Sequence, residues 1–233
     1  MSSPVAVVSA SAKPPAWEQY RAQIDSYANA QVNYDFARQS EYTSATGWRL
    51  DDYATDLPAE APGPPAAAGS FAAAQEVLRR YAFPPPDLIT GYFDPAVPLE
   101  KRVMVLRAHF LVFNFYFGVR VSEVTDEAAR ATPNGSERVW GYGYRTLEGH
   151  FEKGQIDFTI HKNLTSGAVQ FRIHAVSQPG QIRNPLYWLG FKLFGRILQR
   201  KFARESLRRM RELVAASLAG RPLPAQPLAA ALG

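Results

Sequence analysis

The sequence predicts a single α+β domain in which a long, basic, amphipathic C-terminal helix lies on an antiparallel β-sheet, preceded by an irregular or helical N-terminal arm. Three observations carry this. Between Lys101 and Gln178, short runs rich in Val, Phe, Tyr and Ile alternate in polarity and are separated by turn residues, the pattern of antiparallel hairpins. After Asn184-Pro185 the apolar spacing changes to that of a helix continuing to about Leu218. The 233 residues are 46% hydrophobic and 12% aromatic, enough for one sizeable core and against global disorder.

Along the chain, residues 1–16 are small and polar and read as a loose arm, the whole of residues 1–30 being partly helical. Trp17, Tyr20, Ile24 and Tyr27 recur at three- and four-residue steps and predict a short helix. Gly47–Leu57 suits a first strand, and Pro58–Gly69, nearly all Pro, Ala and Gly, reads as a linker or extended loop. Ser70 is placed to cap a helix whose inner stripe is Phe71, Ala74, Leu78 and Tyr81, stopped by Pro84-Pro85-Pro86. Val103–Val124 and Val139–Glu148 follow as strands, with a turn at Pro133-Asn134-Gly135 between them. In the next strand Phe158 and Ile160 oppose Thr159 and His161; in the last, Val169, Phe171, Ile173 and Ala175 oppose Gln170, Arg172 and His174. At 100° per residue the C-terminal helix puts Phe194, Leu198, Phe202, Met210 and Leu213 on one side and Arg200, Lys201, Arg204, Arg208 and Arg211 on the other. Gly195 invites a bend, and Arg209 falls on the apolar side, where a cation must reach solvent or meet an acid. The domain therefore spans 31–218, with a frayed Pro- and Ala-rich tail at 219–233.

Composition excludes several chemistries. Without cysteine there are no disulfides, thiolate metal sites or cysteine nucleophiles. The histidines, His109, His150, His161 and His174, lack the three- or four-residue spacing of paired helix ligands, so no metal is expected. No phosphate-binding glycine loop, dinucleotide fingerprint or nucleophile elbow occurs, and no cofactor is expected. The net charge of +5 is concentrated between Lys192 and Arg211, where Glu205 is the one acid among eight bases, leaving the rest near neutral. The most apolar stretch, Val103–Val121, is interrupted by Arg107, His109, Asn114 and Arg120, so it reads as strand and not as a transmembrane segment. With no secretory signal, a cytoplasmic protein is expected.

Three segments, Val139-Trp-Gly-Tyr-Gly-Tyr-Arg-Thr-Leu-Glu-Gly-His150, Gln170-Phe-Arg-Ile-His-Ala-Val-Ser-Gln-Pro179 and Arg200-Lys-Phe-Ala-Arg-Glu-Ser206, occur in this order. Together with Asn33-Tyr34, the helix after Gly69 and Phe93-Asp94-Pro95, they resemble the domain of unknown function 1990 family, also called uncharacterised protein family 0548, over roughly residues 30–215. That family is similar in architecture to the START-like (SRPBCC, helix-grip) superfamily. The resemblance implies a curved antiparallel sheet gripping a long C-terminal helix around an apolar cavity.

The residues that stand out are polar groups on strands. Gly141 and Gly143 either leave room for a ligand beside Tyr142 and Tyr144 or mark a bend in a curved sheet. Glu148 and His150, with Glu152 beyond, form an acid–imidazole pair suited to proton transfer, or a solvated strand end. His109 and Arg107 share one face of an apolar strand, lining either a cavity or a solvent face. Arg204 suits an acidic ligand group, or the basic helix surface. With the resemblance, these readings lead to the binding of a small lipophilic molecule between sheet and helix, with Tyr142, Tyr144, His109, His150, Arg204 and Arg209 as its contacts. The alternative is a cofactor-free isomerase, cyclase or lyase using His150, Glu148 and Tyr142; the sequence leaves open whether the chain is an enzyme. A third reading makes the basic helix an interaction surface. It suits a peripheral contact with an anionic membrane better than nucleic acid, whose aromatic interleaving is weak on that face.

Overall fold

The computed structural model describes residues 14–110, 113–133, 135–180 and 185–225, with side chains in the last stretch from 196 onward. Seven strands form one sheet: β1 (Arg49–Leu57), β2 (Ile89–Tyr92), β3 (Val103–Phe110), β4 (Phe113–Thr132), β5 (Gly135–Thr146), β6 (Glu152–Asn163) and β7 (Val169–Pro179). Their order is β1-β7-β6-β5-β4-β3-β2, with every neighbouring pair antiparallel. Consecutive strands from β2 to β7 are neighbours, and β1 crosses over to close the far edge on β7. The helices are α1 (Arg21–Tyr27), α2 (Ser70–Arg79) and α3 (Pro185–Leu218). This is an α+β helix-grip fold: a bent antiparallel sheet with the long last helix on its concave face.

The alternation read from the sequence is what buries the core. Phe158 and Ile160 of β6 and Phe171 and Ile173 of β7 are at most 1% exposed, facing Phe71, Val77 and Leu78 of α2 and Met210 and Val214 of α3. The register of β4 against β5 shifts between Val121 and Glu123, opposite Gly143; such a bulge bends a sheet. Along α3 the buried stripe is Ala203, Ser206, Met210 and Val214, while Arg200, Lys201, Arg204, Arg208 and Arg211 are exposed, as the helical periodicity requires. The helix runs through Gly195. No helix among the described residues is long and apolar enough to cross a membrane.

Several local expectations are corrected. The apolar run after Val103 is a hairpin of two strands, β3 and β4, not one element. The short edge strand β2 carries too few residues to show a period. Ser70 does not cap α2: it is the first helical residue, and its hydroxyl donates to the Pro58 carbonyl. The N-terminal N–H of Phe71 is instead taken by the Glu60 carboxylate at 2.8 Å. Residues 58–69 are accordingly no linker. Glu60 pairs with Lys162 of β6 at 2.8 Å, Lys162 donates to the Pro64 carbonyl, and the main chain bonds to Leu164 and Gly167. The N-terminal helix is also integrated. Trp17 joins Tyr92 and Val105 in a second apolar cluster on the convex face, and Arg120 donates to the carbonyls of Tyr27, Ala28 and Ala30. The expected loose arm before residue 14, the middle of the Pro133–Gly135 turn, the Phe194 side chain and the tail after residue 225 lie outside the described residues.

Candidate functional site

The concave face of the sheet, where α2 and α3 cover it, holds a cluster of buried polar groups. Trp140, Tyr142 and Tyr144 alternate inward from β5, and all three are buried. The Tyr142 hydroxyl donates to the Leu78 carbonyl of α2 at 3.1 Å, and the hydroxyls of Tyr144 and Tyr81 lie 3.3 Å apart. Tyr81 follows α2 in a left-handed conformation at φ 51°. Burial holds all three phenols above their ordinary range, Tyr144 at about 12. They are neutral hydroxyl groups throughout the physiological range.

The glycines between them point the other way. A Cβ on Gly141 would sit 2.1 Å from the Phe158 carbonyl oxygen, and one on Gly143 1.9 Å from Asp157 Oδ1. Their space is thus taken by the neighbouring strand. Over Gly143, on the convex face, is a pocket of about 250 Å³ bordered by Glu123, Gln155, Asp157 and His174.

His150 is buried at the end of the concave face, its ring 4.3 Å from Phe117 in an edge-on arrangement. Its Nδ1 accepts the Glu152 main-chain N–H at 2.9 Å. Burial pushes its pKa down to about 3, against which that contact is a minor counterweight. It is a neutral ring. Glu148, two residues before, is exposed, with its main-chain N–H bonded to the Gln31 carbonyl. The carboxylate that turns inward is Glu152. Burial raises it to about 7, despite Arg49, the Gln199 amide and Arg196. Gln199 of α3 donates to Glu152 Oε1, and alongside it Arg196 makes a two-pronged ion pair with Asp51 of β1. Tyr144 feels the Glu152 charge. On the same stripe of α3, Gln199 Oε1 and Ser206 Oγ are buried without a protein partner among the described residues.

The structure therefore brings Tyr142 and Tyr144 to one face with Glu152, and sets His150 at its end. The other named residues are elsewhere. His109 lies near the β3–β4 turn, its Nδ1 2.9 Å from Asn114 Oδ1, on the face opposite Met104 and Leu106. Arg204 is exposed on α3. Arg209 is half-buried and meets no acid; it donates to the main-chain carbonyls of Pro84 and Ala82, both at 3.1 Å. Arg208 is bracketed by Glu205 and Glu212, which interrupts the basic stripe. The sequence reading passed over Glu152, Gln199 and Tyr81 as principal groups. For Glu152 a signal existed: it lies an even number of residues from Ile156, Phe158 and Ile160, hence on their face.

No curated protein sequence matches the chain. Solved structures that resemble it include Ara h 8.0201, at 13% identity over 73% of this chain and 99% of that one, with a TM-score of 0.39. A point mutant of norcoclaurine synthase from Thalictrum flavum, in complex with a transition state analogue, is 7% identical over 72% and 94% of the two chains, with a TM-score of 0.45. Major latex-like protein 151 from Panax ginseng is 10% identical over 71% and 97%, with a TM-score of 0.36. The sequence pattern described as "Domain of unknown function (DUF1990)" matches residues 33–209, which include both inward tyrosines, Glu152 and Gln199, and the chain belongs to that family.

Proposed function

We propose that the protein binds a small, largely lipophilic molecule on the concave face between the sheet and α3, with Glu152 as its polar anchor. The observation that carries this reading is the inward-turned Glu152 carboxylate on the face the helix covers, met by the Gln199 amide of α3; burial raises its pKa to about 7. Ligand sites combine apolar walls with a few placed polar groups, and strongly perturbed titratable groups concentrate at such sites. Phe115, Phe151, Ile156 and Phe202, all partly buried against the core, supply apolar wall. Gln199 Oε1 and Ser206 Oγ supply acceptors for a ligand's hydroxyl or N–H.

A second reading is supported by the same carboxylate. A group titrating at about 7 can take up and return a proton at physiological pH, and the neutral Tyr144 hydroxyl can donate a hydrogen bond to a developing oxyanion. This is cofactor-free acid–base chemistry of the isomerase, cyclase or lyase type, with Glu152 in the role expected for His150 and Glu148.

Native mass spectrometry of the protein purified from its own host tests both. An adduct of constant mass that is lost in Glu152→Leu supports binding; an adduct whose mass changes with time supports turnover. Repeated absence of any adduct, with no displacement of an apolar fluorescent probe by host lipid extract, removes both.

A further inference from the structure

A groove lies on the outer side of α2, away from Tyr142, Tyr144 and Glu152. It has a volume of about 620 Å³ and runs between α2, the Phe93–Leu99 turn and Trp17. Its walls are apolar, formed by Trp17, Phe93, Val97 and Leu99; its charges are Glu76, Arg79, Arg80 and Arg102. Glu76 is spent on Arg80 at 2.6 Å, and the Arg79 guanidinium stacks on the Trp140 ring at 4.9 Å.

Arg102 is the unusual member. The residue is 6% exposed. Its Nη1 donates to the Arg79 carbonyl at 2.8 Å, and its guanidinium lies 4.2 Å above the Phe93 ring. Its Nε is buried without a protein partner, and among the described residues no carboxylate is within ion-pair distance. A buried cation left without a counter-charge is unfavourable, and so is a buried donor left unmade. Other partly buried arginines of this fold place their donors on main-chain carbonyls, Arg120 on three and Arg209 on two. Arg107 and Arg145 also have an unpartnered Nε, but they are more exposed and do not border the groove. Burial lowers the pKa of Arg102 from its ordinary value, in keeping with a charge short of solvation.

We propose that this groove binds a small amphipathic anion, with a carboxylate or phosphate monoester head on Arg102 and an apolar body against Val97, Pro98 and Leu99. A guanidinium presents a planar fork of donors to an oxyanion. The head supplies the missing counter-charge and an acceptor for Nε, and the tail covers apolar wall.

The test is calorimetric titration of the full-length protein at low salt with decanoate, decyl phosphate, decanol, decylamine and inorganic phosphate, each below its micellar concentration. At least one of the two alkyl anions is expected to bind about tenfold or more tighter than decanol. The stronger of the two names the head group. Inorganic phosphate and decylamine are expected not to bind. Arg102→Gln should erase the preference for the anion. Because that variant removes a buried residue, Ala96→Asp on the exposed rim is the companion: it should weaken the anion about fivefold by charge repulsion and leave decanol unchanged. The Trp17 indole N–H resonance should shift on binding. Decanol binding as tightly as both anions, inorganic phosphate binding as tightly as decyl phosphate, or anion binding indifferent to Ala96→Asp with Trp17 unmoved would each overturn the proposal.

Discussion

The buried ion pair between Glu60 and Lys162 gives the sharpest test of how this fold is held. The two side chains are 6% and 1% exposed and meet at 2.8 Å. The Glu60 carboxylate also accepts the main-chain N–H groups of Phe71 at 2.8 Å and Ala66 at 2.9 Å. It therefore neutralises the ammonium, caps α2 and fixes the 58–69 loop at once. Glu60→Gln keeps the shape and removes the charge. Lys162 is then a buried cation with the Pro64 carbonyl as its remaining partner, a loss worth about 3–5 kcal/mol. At about 2–4 °C per kcal/mol for a chain of this size, the melting temperature at pH 7 should fall by about 10 °C. Burial alone would raise the Glu60 pKa, but the bonds from Lys162, Phe71 and Ala66 outweigh it and hold it below the ordinary value of 4.5. A depressed carboxylate stabilises the fold above its unfolded value and loses that contribution as pH falls. The gap between wild type and Glu60→Gln should therefore close below about pH 4. Glu60→Leu with Lys162→Met removes both charges and should recover most of the loss, leaving about 1 kcal/mol for the missing cap. Thermal melts followed by circular dichroism measure all of this. A Glu60→Gln protein melting within about 3 °C of wild type, or a gap independent of pH, would refute the reasoning.

Two further predictions concern the concave face and the sheet beneath it. Glu152 is raised from 4.5 to about 7 by burial, so its folded form holds a proton the unfolded chain releases. Stability should decline as pH rises from about 4.5 to about 7 and be level above. Glu152→Gln should lack that decline and exceed wild type by about 3 kcal/mol at pH 8; urea unfolding across pH measures the difference, and parallel curves would count against a buried, raised Glu152. Gly141→Ala drives a Cβ into the Phe158 carbonyl oxygen at 2.1 Å, whereas Gly143→Ala meets the end of the Asp157 side chain, which can turn aside. The first should cost about 3 kcal/mol and the second about 1 kcal/mol or less; equal costs would mean that the backbone of β6 yields as readily as a side chain.

Much of this architecture is written in local periodicity. The period-two pattern in Ile156–His161 and Val169–Ala175 sends Phe158, Ile160, Phe171 and Ile173 to the core, because successive strand residues must face opposite sides. The period of α3 likewise separates Met210 from Arg200, Arg204 and Arg208. Its true centre, Gln199-Ala203-Ser206-Met210, lies beside the stripe drawn from the largest apolar residues, since small and polar side chains also face inward where the backbone approaches closely.

The sequence alone determined that the segments around 139–148, 156–161 and 169–175 are strands, where the last helix begins and ends, and which chemistries are closed to a chain without cysteine. The tertiary structure alone decided which polar residues matter. The inward carboxylate is Glu152 and not Glu148, α2 is capped by Glu60 and not Ser70, Arg209 is satisfied by carbonyls, and Arg102 is left with an unpartnered donor. Periodicity fixes the face on which a side chain emerges. Burial and charge pairing depend on what another part of the chain brings to that face, and Glu60 and Lys162 are 102 residues apart, too far for any local pattern to record.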